Sequence, residues 1–350
     1  MPAVWLWKRF RSNLVDEVAG FFTLHRILRY RERAVVRGRT AETFPDLFSG
    51  DPARFFQPVP QPVSWSAARH VREWADGTVV EDLQFPSIVR TSFPESDTVR
   101  LRRWRPAAGP VKHTVIGVDG VVQLGPASFD RLARHLAPHG IEVVMMQAPF
   151  NFRRAPKGYA PGQLIMGGDL DHQLSVFRQA VLDLWTVICT LRAEGRTVGL
   201  VGISFGGWLS LTTSLHADGV DFVIALVPPV EMFHILVEGG TVVRAARRGM
   251  EGEKRTRAEL AQISLPLSPL RWPCRLPPER VVLHLAEFDR FVPNNRIEQL
   301  AAAWKTRLVR HVDGHIGVAA QGSCIADVAQ EVLEFAGTPR TAVPDGIPTV

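Results

Sequence analysis

Along much of the chain, short apolar runs alternate with stretches whose apolar positions fall three or four apart. HTVIGV (113–118), IEVVMMQAP (141–149), TVGLVGI (197–203), DFVIALVP (221–228), VVLHLAEF (281–288) and RLVRHVDG (307–314) read as strands. Runs this short and this apolar suit strands buried on both faces, as in a parallel sheet. Between them, 127–137, 172–193, 205–217, 294–304 and 322–336 have helical spacing. Pro138 and Gly140 end the first of these helices, and Gly195 stops the second. Earlier, TVVEDLQF (78–85) and TVRLRRWRP (98–106) predict antiparallel strands at the start of the sheet, preceded by a short helix over 65–75. The expected fold class is α/β, a mostly parallel twisted sheet with helices on both faces.

The flanks differ. Residues 1–64 are expected to form an N-terminal extension, 65–336 the α/β domain and 337–350 a disordered tail. Within the domain, 230–278 is irregular and is expected to be a lid insertion. Residues 4–36 predict a helix, with a break foreseen near Gly20; 43–64 is a Pro-rich connector. In that helix Trp5, Phe10, Leu14, Val18, Phe21, Phe22, Leu24, Ile27 and Leu28 recur at helical spacing, and the polar face is basic. Such a helix lies in a membrane surface, binds a partner, or packs on its own domain.

Charge sharpens this division. The 350 residues carry a net charge of +6. Nine Lys or Arg against three acids in residues 1–40 account for all of it, so no basic groove for nucleic acid is expected elsewhere. Cys189, Cys274 and Cys324 are scattered without metal-ligand spacing, which argues against a disulfide framework or a zinc site. The start, MPAVWLWKRF, becomes charged too early for a secretory signal, and no apolar run approaches a bilayer span. A cytoplasmic protein is expected, with residues 1–40 offering a peripheral contact to the inner membrane surface.

Within TVGLVGISFGGWLSL, residues 202–206 fit G-x-S-x-G between a buried strand and a helix. A sharp strand-to-helix reversal places the middle residue in a strained conformation, and flanking glycines relieve the collisions it causes. Ser204 is therefore the candidate nucleophile; a structural serine in a tight turn is the alternative. A serine needs a base, and the base needs an orienting acid. Of the later histidines, His216, His284 and His311 fall inside predicted elements and His234 in the irregular segment. His315 lies just past a strand end and is the candidate base. Asp289, in AEFDRFVPNN, is the candidate acid, with Glu287 and Asp313 weighed beside it. The oxyanion donors are expected to be the backbone N–H of Phe205 and that of Val121, with the N–H of Gly120 or Val122 as alternatives to Val121.

GISFG, AEFDRFVP and DGH, in that order, make residues 78–336 resemble the α/β-hydrolase fold. MQAPFNFRRAPKGYAPGQLIMGGDLDHQLSVFRQAV is similar to a little-characterised branch of bacterial proteins and eukaryotic relatives linked to lipid acyl groups. Two departures stand out: Asp119–Gly120 where His-Gly is frequent, and Glu287 where a glycine often precedes the acid. The resemblance implies a serine hydrolase acting on a small-molecule or lipid ester, thioester or amide through an acyl-enzyme, without metal or organic cofactor. A triad-bearing acyltransferase, perhydrolase or lyase, or an inactive binding protein, is the alternative.

Four residues are candidates for substrate contact. Arg153 and Arg154 follow a strand and can receive an anionic group, or pair with Asp169 or Asp171 and pin their loop. Trp208 is a substrate platform or a core residue. His234 lines the pocket or packs the lid, beside the apolar MFHILV (232–237).

Overall fold

The computed structural model describes residues 3–29, 52–107, 109–122, 125–166, 170–231, 256–320 and 322–337. Nine strands form one sheet: β1 Arg69–Glu73, β2 Val79–Pro86, β3 Thr98–Arg105, β4 His113–Val118, β5 Ile141–Met146, β6 Thr197–Ile203, β7 Phe222–Leu226, β8 Val281–Ala286 and β9 Arg307–His311. Their order is β1-β2-β3-β5-β4-β6-β7-β8-β9. The first three strands and the β3–β5 pairing are antiparallel, and everything from β5 to β9 is parallel. The helices are α1 Ala3–Arg29, α2 Pro52–Phe55, α3 Ala127–Leu136, α4 Gln163–Met166, α5 Leu170–Ala193, α6 Phe205–Ser214, α7 Arg257–Ile263, α8 Asn294–Trp304, α9 His315–Ala320 and α10 Gly322–Gly337.

The apolar continuity of the central strands has its cause in the layering. β5, β7 and β8 are buried at every position. On one face, Leu182 and Ile188 of α5, Leu209 of α6 and Leu300 of α8 join the core. On the other, Phe129 and Leu132 of α3 meet Val328 and Val332 of α10. Asp171–Ala193 is long and apolar enough to cross a bilayer, yet 89% of its most apolar 18-residue window is buried, the condition of a core helix.

The chain leaves β4 to form β5 on one side and returns to form β6 on the other. The carboxyl ends of β4 and β6 thus border a crevice where the connections diverge, the usual place for a ligand in an open α/β sheet.

Three expectations need correction. Residues 65–75 contain strand β1, not a helix; it pairs antiparallel with β2, and this edge pairing outweighs the local helical spacing. Helix α1 runs unbroken through Gly20, which lies buried against the domain. A short helix, α9, begins at His315 where only a loop was expected. The predicted helix beyond Arg29, the connector through residue 51, residues 232–255 of the insertion and the tail beyond 337 lie outside the described residues.

Candidate active site

Ser204 occupies the turn between β6 and α6 with φ 53° and ψ −116°. Only a strongly determined turn holds a non-glycine residue there. Its backbone N–H donates to the Leu226 carbonyl at 2.7 Å, fixing the turn to β7. The flanking glycines are explained by close approach: a Cβ at Gly202 would strike the Gly206 carbonyl, and one at Gly206 would strike the Val118 carbonyl.

Three side chains meet at this turn. Ser204 Oγ lies 3.0 Å from His315 Nε2, and His315 Nδ1 lies 2.8 Å from Asp289 Oδ2. The Asp289 side chain is fully buried, and its Oδ1 accepts the N–H groups of Phe291 at 2.7 Å and Val292 at 2.8 Å. Neither rival acid reaches the ring: Glu287 is exposed, and Asp313 is buried beneath the loop. Burial pulls the His315 imidazolium toward a lower pKa. The Asp289 carboxylate, with Asp16 beyond it, pulls harder, and the net value stands above that of an ordinary histidine.

The Asp119–Val121 loop passes over Ser204; a Cβ on Gly120 would lie 3.6 Å from the Ser204 Cβ. The Gly120 N–H is already donated to Asp119 Oδ1 at 2.8 Å. Burial lifts the Asp119 carboxyl to about 6, and the Gly120 bond works against that rise. At the start of α6 the Phe205 N–H belongs to the first turn, where backbone donors lack a partner within the helix.

Two holding elements escaped the sequence reading. Asn151 is buried between Phe150 and Phe152, both at positive φ, and its Nδ2 donates to the Gly120 carbonyl at 2.8 Å. The second is α1. Asp16 accepts the N–H of His315 at 2.9 Å on Oδ2 and that of Ile316 at 3.0 Å on Oδ1. Ser12 Oγ donates to Asp313 Oδ1 at 2.8 Å. A helix 27 residues long therefore supplies, from the far end of the chain, the cap for the helix that begins at the candidate base. The signal was present as a pair of acids, Asp16 and Glu17, on an otherwise basic helix.

Of the four substrate candidates, Arg153, Arg154 and Trp208 are described, and the side chain of each is engaged elsewhere. Arg154 is fully buried, bonded to Asp183 Oδ2 at 2.7 Å, to the Gln147 carbonyl at 2.9 Å and to the Ser96 carbonyl. It pins its loop through Asp183, an acid that had not been weighed; Asp169 lies outside the described residues. Arg153 reaches away to Asp82 at 3.0 Å. Trp208 is fully buried, stacks near Phe205 and Phe177, and donates to the Leu267 carbonyl at 2.6 Å, so it belongs to the core. His234 lies outside the described residues.

A second histidine cluster lies on β8 and β9. His284 Nδ1 is 2.9 Å from His311 Nε2, and His284 Nε2 is 3.0 Å from Glu331. Cys324 Sγ is 3.9 Å from the same His311 nitrogen, and burial, then Asp327 and Glu331, push its thiol up to about 12. The spacing would admit a metal ion. Both nitrogens of His284 and Nε2 of His311 already have partners in this cluster.

A nine-stranded sheet of this order, with a strained serine after β6 and the histidine after β9, is an α/β-hydrolase fold. Solved structures with this fold include the acetyl xylan esterase from Paenibacillus sp. R4, with a TM-score of 0.59 and 15% identity, covering 88% of this chain and 98% of that one. Acetyl xylan esterase 1 from Thermoanaerobacterium sp. JW/SL YS485 gives 0.60 and 16%, covering 83% and 94%. An esterase from Pyrobaculum calidifontis gives 0.51 and 17%, covering 74% and 86%. Among curated proteins, uncharacterised proteins of two Mycobacterium tuberculosis strains, CDC 1551 / Oshkosh and H37Rv, are each 25% identical over 209 residues. That match takes in 58% of this chain, which spans about half the length of those relatives, 49%. No family model matches the chain.

Proposed function

We propose that this chain is a serine hydrolase that cleaves a carboxylic ester, with thioester or amide as the wider class, through an acyl-enzyme. The observation that carries the reading is the pair of contacts on one imidazole: Ser204 Oγ at 3.0 Å from Nε2 and Asp289 Oδ2 at 2.8 Å from Nδ1. Ser204 Oγ attacks the carbonyl carbon as its proton passes to His315 Nε2. The imidazolium formed keeps its Nδ1–H donated to Asp289. The Phe205 and Val121 N–H groups receive the developing oxyanion. His315 returns the proton to the leaving oxygen, releasing the alcohol and leaving the acyl group on Ser204. A water then gives its proton to His315 and attacks the acyl carbon, freeing the acid and restoring the serine.

The esterases among the structures with this fold favour an ester over an amide. The test is labelling by a fluorophosphonate, compared between the wild type and Ser204→Ala. A panel of short esters, long-chain thioesters and phospholipids follows. Labelling lost in the variant and turnover of one ester class are expected. A folded wild type that resists the probe refutes the reading; labelling without turnover in water points to acyl transfer in place of hydrolysis.

A further inference from the structure

Helix α1 packs on the domain the wrong way round for a soluble protein. Its inward stripe is Ser12, Asp16 and Gly20, spaced four apart and buried. Its outward side carries Val4, Leu6, Trp7, Phe10, Leu14, Val15, Val18, Phe21 and Phe22, all exposed, with Trp7, Phe10, Phe21 and Phe22 at 60–64%. At 3.6 residues per turn Trp7, Phe10, Leu14, Val18 and Phe21 fall opposite the inward stripe, and Leu6 and Val15 lie at its sides. Trp5 turns partly inward, with its ring 5.1 Å from Phe288. An exposed apolar strip of this length marks a surface that something covers.

Charge says what covers it. The two acids of α1 are both engaged with the domain: Asp16 with the His315 loop, and Glu17 with Arg290 at 2.8 Å. Lys8 and Arg11 are exposed beside the aromatic strip, with Arg11 leaning to Asp313 at 3.4 Å, and Arg9 is exposed over the Trp5 ring at 5.5 Å. The sequence continues with Arg26, Arg29, Arg31, Arg33, Arg37 and Arg39 against the single acid Glu32. Trp, Phe and Leu flanked by cations suit the boundary between anionic headgroups and acyl chains, where the rings bury and the cations meet phosphate. A second protein surface would have to offer both an apolar groove and a fringe of acids.

We propose that α1 docks this protein on an anionic lipid bilayer through its outward aromatic strip, while Ser12 and Asp16 on the inward stripe hold the loop of His315. The helix extends from Phe288, past His315, to contacts with α4, whose neighbour Gly162 lies close enough to the Val121 carbonyl that a Cβ there would strike it. The edge of the sheet that holds Ser204 is thereby tethered to the bilayer. An ester resident in or leaving that bilayer becomes the favoured substrate, a consequence that rests on the hydrolase reading; the docking itself does not.

The test is co-sedimentation of the full chain with vesicles of phosphatidylcholine alone, and with vesicles in which about a third of the lipid is phosphatidylglycerol. The wild type is expected to pellet with the second kind and to be released by high salt. The triple variant Trp7→Glu, Phe10→Glu, Phe21→Glu is expected to lose about tenfold or more of its partitioning, with an unchanged thermal midpoint showing that it is folded. Lys8→Glu with Arg9→Glu is a second variant, expected to weaken binding to the anionic vesicles alone. Ser204→Ala is expected to pellet like the wild type, so failure of the hydrolase reading leaves this result standing. No pelleting of the wild type, equal pelleting with both vesicles, or no effect of the triple variant overturns the proposal. So does a dimer in light scattering that the triple variant dissolves, which would assign the strip to a second copy.

Discussion

Asp16 and His315, 299 residues apart, are joined by a 2.9 Å hydrogen bond from the histidine backbone N–H to the aspartate Oδ2. The contact is close because residue 314 is glycine: a Cβ there would lie 2.8 Å from the same oxygen. A segment outside the central sheet therefore fixes the backbone from which the candidate base projects. The same carboxylate adds negative charge near the imidazole.

Removing that carboxylate is expected to act on both stability and titration. Asp16→Ala leaves the N–H groups of His315 and Ile316 buried without their acceptor, a loss of about 1–3 kcal/mol for each group left bare. Urea unfolding reads that loss. Asp16→Asn keeps an acceptor but not the charge, so its cost is smaller and its signature is the pH profile. Its acid limb is expected to move below that of the wild type. An unshifted limb would mean that Asp16 acts through the backbone alone.

The wild-type profile follows from the His315 shift. Its pKa is raised in the fold, and the base works only when neutral. The acid limb of kcat/KM is therefore expected above the ordinary histidine value of about 6.5. Stability runs the other way. A raised pKa means that the folded state holds the proton more tightly. The stabilisation from protonated His315 with Asp289 is complete below about 6.5 and disappears as pH rises through the folded value. The difference in thermal midpoint between wild type and His315→Gln, followed from pH 5 to 9, is expected to shrink across that window.

The elbow was readable because its requirements are local. A buried strand, two glycines and a helix leave one conformation for Ser204, and the reading needs nothing from elsewhere. His315 and Asp289 were readable because strand ends are marked by composition, and the three side chains singled out by spacing do meet. What stayed hidden depends on distant partners. The inward stripe of α1 is polar, so its periodicity pointed to the apolar side and said nothing of Asp16. Strand β1 exists because β2 offers it an edge, which no local pattern announces. Asn151 reaches the Gly120 carbonyl from a strained turn that Phe150 and Phe152, neither of them glycine, do not advertise.

Asn151 offers a prediction about the proposed oxyanion loop. Its amide is the side-chain donor to the Gly120 carbonyl, so Asn151→Ala frees the loop that carries the Val121 N–H. A misplaced donor costs transition-state stabilisation, and loss of one such donor is worth about a hundredfold or more in kcat. Because the donor remains and is only less well held, a fall of about 10- to 100-fold in kcat is expected, with KM changing less. Steady-state kinetics on an ester found by the substrate panel measures it. A KM effect alone would place Asn151 in substrate binding.

Asp289→Asn tests the proposed orienting acid. The amide can present an N–H to Nδ1 and so favour the wrong tautomer, and kcat is expected to fall about 10⁴-fold with the fold intact. Fluorophosphonate labelling of Ser204 is expected to slow in parallel. Normal labelling would show that the carboxylate is structural.

Arg154 separates a structural cation from a substrate-binding one. Its guanidinium is fully buried with Asp183, also fully buried, and with two backbone carbonyls. Burial lowers the pKa of the arginine and raises that of the aspartate, while each charge pulls the other back. Removing one partner of such a pair strands the other, at a cost of about 3–5 kcal/mol. Arg154→Met is therefore expected to lower the unfolding free energy by that amount. The doubly apolar Arg154→Met, Asp183→Leu chain is expected to recover much of it. In whatever fraction stays folded, KM is expected to match the wild type for neutral and anionic esters alike. A KM that rises only for anionic esters, with stability unchanged, would return Arg154 to the substrate.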